Sequence, residues 1–124
     1  MKKKIIITGG LGYIGTELCK LYSGVSWHHK IVVLDNRFIS ERVSQIRNWN
    51  MEFIQGDILD TNLIKKICED ADVIHHLAGI TAVPRTKSES SYEQDKNIRE
   101  VGEKGTKNIL DVISDKCKII FPST

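Results

Sequence analysis

The segment TGGLGYIG at residues 8–15 places glycines at four of seven consecutive positions, Gly9, Gly10, Gly12 and Gly15. It follows an Ile-rich run and precedes a stretch with apolar residues at helical spacing. A turn that leads from a strand into a helix can hold a pyrophosphate, because its backbone N–H groups and the positive end of the helix dipole point at the anion. The spacing fits both GxGxxG and GxxGxxG, and no Lys followed by Ser or Thr marks a P-loop. The segment therefore predicts a dinucleotide-binding turn, and a glycine-rich turn without a ligand is the alternative.

Two of these glycines have distinct expected tasks. Gly12 lets the backbone approach the phosphates, so a Cβ at that position would occupy the place of the ligand. Gly15 lets the first helix pack closely against the strand. The turn is thus expected to serve both the ligand and the fold.

Apolar, β-branched runs alternate with helical patterns along the whole chain. The runs predict strands at residues 3–8, 30–35, 51–57, 72–79 and 118–123. The intervening segments predict helices within residues 13–24, 39–49, 60–70 and 90–115, with Asp60 or Thr61 as the cap of the third. Nearly continuous Ile and Val strands separated by helices indicate a parallel sheet covered on both faces. We predict an α/β, Rossmann-type doubly wound sheet of strand order 3-2-1-4-5, with the dinucleotide groove between strands one and four, where the order reverses.

Composition restricts the class of partner. With 124 residues, 40% of them hydrophobic, the chain suits one domain with a real core. The net charge is +2 and the basic residues are scattered, so we expect no nucleic-acid partner. No stretch has membrane-spanning length, so we expect no membrane partner either. Cys19, Cys68 and Cys117 are odd in number and far apart, which favours free thiols in a reducing cytoplasm.

Asp35 ends the second predicted strand, about twenty residues after Gly15. At that place a carboxylate accepts hydrogen bonds from the adenosine ribose hydroxyls, and it repels a 2′-phosphate. The position therefore predicts NAD rather than NADP as cofactor. Arg37, two residues later, is the counter-argument, because it can pair with a phosphate. A turn-initiating Asp before Asn36 is the structural alternative.

Six motifs occur in the order seen in one known family. They are TGGLGYIG, LDN at the end of strand two, GDILD, HHLAG, GTKNIL and FPST. By these motifs the whole chain resembles the extended short-chain dehydrogenase/reductase family, which includes nucleotide-sugar epimerases and dehydratases. The resemblance implies that Asp57 and Ile58 contact the adenine and that Leu77, Ala78 and Gly79 line the cofactor groove. The predicted cofactor-binding residues are thus Gly9, Gly12, Tyr13, Ile14, Gly15, Asp35, Asn36, Asp57, Ile58, Leu77, Ala78 and Gly79.

The resemblance also implies a catalytic residue, Thr124, which would hydrogen-bond the reacting substrate oxygen. A strand-end Thr without a role is the alternative. The family's Tyr-x-x-x-Lys pair is expected after Thr124. The same spacing from Tyr92 to Lys96 precedes strand five, in a different crossover from the family's pair, and we interpret it as a chance match. Gly102 stands where the family usually has an Asn. No metal site is predicted, since His75 and His76 fit packed strand histidines better than ligands.

These observations lead to an expected function. Residues 1–124 would form the NAD-binding domain of a longer, cytoplasmic enzyme, and would be inactive by themselves. The enzyme would be an NAD-dependent nucleotide-sugar epimerase or dehydratase, with hydride transfer at a sugar carbon. Epimerase is the first choice, although reductase and decarboxylase relatives share this half. A full-length homodimer is expected, and a non-catalytic NAD-binding module is the alternative class.

Overall fold

The computed structural model describes residues 2–78 and 103–121. Five strands and four helices alternate along these residues. The strands are β1 (Lys4–Thr8), β2 (Lys30–Asp35), β3 (Glu52–Gln55), β4 (Val73–His76) and β5 (Lys118–Ile120). The helices are α1 (Tyr13–Tyr22), α2 (Ser40–Asn48), α3 (Thr61–Cys68) and α4 (residues 103–112).

The strands form one sheet of order β3-β2-β1-β4-β5. All four strand pairs are parallel, and in the central strand Ile6 lies between Val32 of β2 and Ile74 of β4. β-branched side chains fit this pleated, buried surface, and both β1 and β2 are buried along almost their whole length. The predicted fold class and strand order are confirmed.

The two faces of the sheet carry separate cores, because successive side chains of a strand point to opposite faces. On one face Ile5 and Ile7 of β1 pack with buried residues of α1 and α2, among them Cys19 and Val43. On the other face Ile6 packs with residues of α3 and α4, among them Ile64 and Ile109. Helices therefore cover both faces, as the continuous Ile and Val runs indicate.

Helix α3 shows how local sequence sets an element. It begins after Asp60, whose side chain accepts a hydrogen bond from the Leu63 N–H at 3.2 Å, so the predicted cap is Asp60 rather than Thr61. Its apolar side is buried and includes Cys68, and burial raises the pKa of that thiol to about 12. The thiol is therefore neutral at physiological pH and a poor nucleophile. Among the residues that the structure describes, no helix is long and apolar enough to cross a bilayer.

Candidate functional site

The glycine-rich turn after β1 is held tightly against the ends of β2 and β4. Gly9 has a φ of +69° and donates its N–H to the Leu34 carbonyl at 2.7 Å. A Cβ on Gly9 would lie 2.8 Å from the backbone nitrogen of Ala78. Both the left-handed φ and this close approach require glycine. The turn thereby forms one side of the crevice between β1 and β4.

Gly12 differs from its neighbours in what surrounds it. A Cβ on Gly15 would lie 2.6 Å from the Gly9 oxygen, so packing of α1 requires a glycine there. A Cβ on Gly12 would meet only the Gly9 oxygen at 3.5 Å and Nη2 of Arg37 at 3.7 Å, which are ordinary contacts. Among the described residues there is therefore room for a side chain at Gly12, and the space above this residue is open to a ligand.

The N-terminus of α1 begins at this open position. Gly12 is the N-cap and has no side chain to accept from the first turn, which also lacks acidic residues. Within residues 2–78 and 103–121, no acceptor meets the N–H groups of Tyr13, Ile14 or Gly15. Tyr13 is 87% exposed, so solvent reaches this end of the helix. Free donors and the positive end of the helix dipole together make a binding place for an anion.

Thr8, the residue before the glycines, joins the ends of β1 and β4. Its Oγ1 accepts hydrogen bonds from the N–H groups of Leu77 and Ala78, each at 3.1 Å, and lies 2.8 Å from Nδ1 of His76. Since the hydroxyl already accepts twice, its single proton is donated to Nδ1, and the His76 ring is neutral with its proton on Nε2. Burial lowers the pKa of His76 and so favours this neutral form. The two strand ends beside the crevice are thereby fixed to each other.

Asp35 ends β2 beside the same turn and is 4% exposed. One of its carboxylate oxygens, Oδ2, accepts from the Leu11 N–H at 3.0 Å, which connects the carboxylate to the glycine turn. The other, Oδ1, accepts from the Arg37 N–H at 2.9 Å. The guanidinium of Arg37 also pairs with both oxygens, with Nε 3.1 Å from Oδ1 and Nη2 3.2 Å from Oδ2. The carboxylate therefore lies next to the open space above Gly12.

Arg42 is a site residue that sequence reasoning missed. From α2 its Nη1 donates a hydrogen bond to the carbonyl oxygen of Leu11, inside the glycine turn. Its guanidinium carbon lies 5.8 Å from the centre of the Tyr13 ring, a cation–π geometry. Arg42 thus holds the turn from outside and adds a positive charge near the N-terminus of α1. Sequence alone does not indicate this role of Arg42, because a single Arg on a helix belongs to no motif, and only the packing of α2 beside the turn brings it to the site.

The loop after β3 contacts α4 through two of the sequence motifs. Asp57 is exposed, and its Oδ1 accepts from the Leu59 N–H at 2.9 Å, which closes a local turn. Ile58 is 5% exposed and its side chain packs against Gly105, where a Cβ would overlap it. Asn108 donates to the Ile58 carbonyl at 2.9 Å. The motifs GDILD and GTKNIL therefore support each other, and the Ile58 side chain offers little surface to a ligand.

The structure brings most predicted residues to the carboxyl edge of the sheet. The residues that lie there, at the ends of β1 to β4 or directly after them, are Gly9, Gly12, Tyr13, Ile14, Gly15, Asp35, Asn36, Asp57, Ile58, Leu77 and Ala78. Gly79, Thr124, Gly102, Tyr92 and Lys96 lie outside the described residues. A groove of about 550 Å³ lies at the opposite, amino edge, where Lys30 and Glu52 begin β2 and β3.

Comparisons with known proteins agree with this architecture. A family model described as the 3-beta hydroxysteroid dehydrogenase/isomerase family matches residues 6–124. UDP-N-acetyl-alpha-D-glucosaminuronate decarboxylase of Bacillus cytotoxicus is 35% identical over 126 aligned residues, which cover 100% of this chain and 37% of that protein. UDP-glucose 4-epimerase of Neisseria meningitidis serogroup B is 35% identical over 105 residues, covering 77% of this chain and 30% of the relative.

Solved structures show the same fold. A UDP-glucose-4-epimerase from Stenotrophomonas maltophila, crystallised with NAD and formylated UDP-arabinopyranose, superposes with a TM-score of 0.75 at 22% identity. The match covers 98% of this chain and 37% of that one, so the chain spans about a third of the length of such proteins. The six ordered motifs, the strand order and the match of the family model over residues 6–124 lead to one conclusion. The chain belongs to the extended short-chain dehydrogenase/reductase family.

Proposed function

We propose that this chain is the NAD-binding part of an enzyme that acts on a nucleotide sugar by hydride transfer. The observation that carries the proposal is the open position above Gly12, where the free N–H groups of α1 adjoin the buried carboxylate of Asp35. An anion-binding helix end beside a buried carboxylate fits a dinucleotide, since it can hold a pyrophosphate and a ribose together. The relatives, a decarboxylase and epimerases of UDP sugars, support the substrate class.

The residues at the carboxyl edge have separate roles in this proposal. The N–H groups of Tyr13, Ile14 and Gly15 hold the pyrophosphate. Asp35 accepts from the adenosine ribose, while Asp57 and the backbone of Ile58 lie on the adenine side. Leu77, Ala78 and Gly79 line the groove, and Asn36 borders it. When bound, NAD supplies the hydride acceptor and donor.

Two further parts of the proposal concern the whole enzyme. The first choice of reaction is epimerisation, in which a sugar carbon is oxidised and then reduced on its other face. Dehydratase, reductase and decarboxylase relatives share this N-terminal, cofactor-binding half and are the alternatives. We also propose a cytoplasmic homodimer. Free Cys19, Cys68 and Cys117 are consistent with a reducing compartment.

The experiment is a calorimetric titration of the full-length protein with NAD and NADP. The parent is expected to bind NAD about tenfold to a hundredfold more tightly than NADP, because Asp35 repels a 2′-phosphate. Asp35→Ala is expected to lose NAD affinity and most of this preference. Glu52→Ala, an exposed carboxylate at the amino edge, is the matched control and should behave as the parent.

Three results would decide against parts of this proposal. Tighter binding of NADP by the parent would overturn the role of Asp35. Absence of binding by either dinucleotide would overturn the proposed function. NAD binding without turnover of any nucleotide sugar would favour a non-catalytic binding module.

A further inference from the structure

The groove at the amino edge of the sheet has a mainly cationic lining. Its volume is about 550 Å³, and the charged side chains that line it are Lys2, Lys30, Arg47 and Glu52. They come from separate parts of the fold, namely the segment before β1, the starts of β2 and β3, and the last turn of α2. Three cations against one carboxylate leave an excess of positive charge, and a groove focuses the field of such charges on an anion.

The guanidinium of Arg47 is not needed to end its own helix. Basic side chains in a last turn often bond the final carbonyls of the helix. Here backbone donors take those carbonyls, since the Asn50 N–H bonds the Arg47 carbonyl at 3.0 Å. The Met51 N–H bonds the Ile46 carbonyl at 3.2 Å, which with the φ of +60° at Asn50 completes a Schellman motif. The Arg47 side chain is therefore available to a ligand in the groove that it lines.

Carboxylates of the described residues do not neutralise the cations of the groove. The ion pairs in that part of the chain, one at Asp35 and one at Asp70, include no side chain that lines the groove. The hydrogen bond from Lys4 is the main cause that lowers the pKa of Asp70, and the charge of Lys30 is the weakest. Lys30 therefore keeps its positive charge for a ligand.

His29 adds a directed donor to these charges. Its Nδ1 accepts a hydrogen bond from the Lys3 N–H at 3.2 Å, so the neutral ring carries its proton on Nε2. The same ring lines the groove, which thereby gains an N–H donor. A phosphate group presents several acceptor oxygens around one centre, so it can use the cations and this donor together.

We propose that the amino-edge groove is a second anion site, which binds the phosphate group of a small molecule. Lys2, Lys30 and Arg47 supply the charge and His29 donates from Nε2, while Glu52 opposes binding. The groove lies at the opposite edge of the sheet from the glycine turn, so this site is separate from the proposed dinucleotide site and goes beyond the proposed function. Because most of these side chains are exposed, the affinity should fall as the salt concentration rises.

The test is calorimetric titration of the full-length protein, saturated with NAD, with inorganic phosphate and with ribose 5-phosphate. Lys30→Gln and Arg47→Gln are each expected to raise the Kd of both probes about threefold, and the double variant about tenfold. Glu52→Gln should lower the Kd about threefold, because it removes the carboxylate of the lining. Lys65→Gln is the matched control, an exposed Lys in the last turn of α3 on the other face of the sheet, and should leave the Kd unchanged.

The two probes distinguish the sources of the phosphate. Equal Kd values support a site for free phosphate, and a lower Kd of ribose 5-phosphate supports a site for a phosphate ester that fills more of the groove. Binding of neither probe overturns the proposal.

The variants separate a built site from general attraction to a basic surface. Kd values that Lys30→Gln, Arg47→Gln and Glu52→Gln leave unchanged, or that Lys65→Gln raises as much, overturn the proposal. Competition of phosphate with NAD that these variants do not alter would place the anion at the glycine turn instead. If the protein binds no NAD, the proposed function is wrong, but the same variants still decide on the second site because none of them lies in the glycine turn.

Discussion

At Gly12 the effect of a side chain on ligand binding can be separated from its effect on stability. A Cβ there has only ordinary contacts, and the φ of −75° suits any residue. Gly12→Ala should therefore change the free energy of unfolding by no more than about 1 kcal/mol, the difference between Gly and Ala at a helix N-cap. NAD affinity should nevertheless fall at least about tenfold, since the methyl group would lie where the pyrophosphate approaches.

Urea denaturation and calorimetric NAD titration measure the two effects on the same samples. Gly24→Ala is the control, because no atom of the described residues lies within 4 Å of a Cβ on Gly24, and Gly24 follows α1 rather than the turn that precedes it. It should leave both quantities as in the parent. Unchanged NAD affinity in Gly12→Ala would contradict the placement of the cofactor above this glycine.

The two histidines of β4 make the stability of the sheet depend on pH. His75 and His76 are both buried, and burial lowers the pKa of each below its ordinary value. As pH falls through about 6.5, the unfolded chain binds protons that the folded chain does not, so stability falls. The loss continues down to the folded pKa and reaches up to about 1.4 kcal/mol per pH unit for each histidine.

Urea denaturation between pH 5.5 and pH 8 should show this slope, and His76→Gln should show a shallower one. The variant will also be less stable at pH 8, because Thr8 loses the Nδ1 partner. His28→Gln, an exposed loop position, is the control and should keep the parent slope. Equal slopes for His76→Gln and the parent would exclude His76 as a source of the pH dependence.

At the scale of elements, sequence pattern predicted each strand and helix that the structure describes. Strand ends were less accurate: β3 ends at Gln55 rather than residue 57, because after the Gly56 N–H has bonded the Asp35 carbonyl the Asp57 side chain closes a turn with the Leu59 N–H. β4 likewise ends at His76: the Leu77 N–H still bonds the Thr8 carbonyl, but the next N–H, of Ala78, bonds the Thr8 side chain and leaves the ladder. Hydrophobic pattern indicates which residues are buried, but side chains that take over backbone donors decide where a strand stops.

The candidate site was predictable where it depends on local chain order. The turn and the end of β2 follow from glycine spacing and from the distance to Asp35. Arg42 and the bridge from Thr8 to His76 join residues far apart in the chain, so no local pattern contains them. Sequence indicates Arg37 only as a possible partner of a phosphate. Its pairing with Asp35 is visible in the structure alone, because sequence does not determine the rotamer of an exposed Arg.

For the whole enzyme, Thr124 is the proposed residue at the reacting oxygen, and it lies outside the described residues. In the full-length protein Thr124→Val should lower kcat at least about a hundredfold, while the Kd of NAD stays nearly constant. Tyr92→Phe is the control for the chance Tyr-x-x-x-Lys match and should have little effect. Steady-state kinetics with UDP sugars and NAD titrations measure both. Loss of turnover in Tyr92→Phe alone would reverse these assignments.

The strand order has a consequence for how the chain folds as it is synthesised. β1 is made first, yet it is the central strand and needs partners on both sides. Contacts on the β2 side of β1 join residues about 26 positions apart in the chain, such as Lys3 and His29. Contacts on its β4 side join residues 68 positions apart, such as Thr8 and His76. Closing the longer loop costs about 0.9 kcal/mol more chain entropy, and it must wait until β4 has left the ribosome. Until then the backbone N–H and C=O groups on one edge of β1 stay unpaired, and the crevice that depends on Thr8 has only one side.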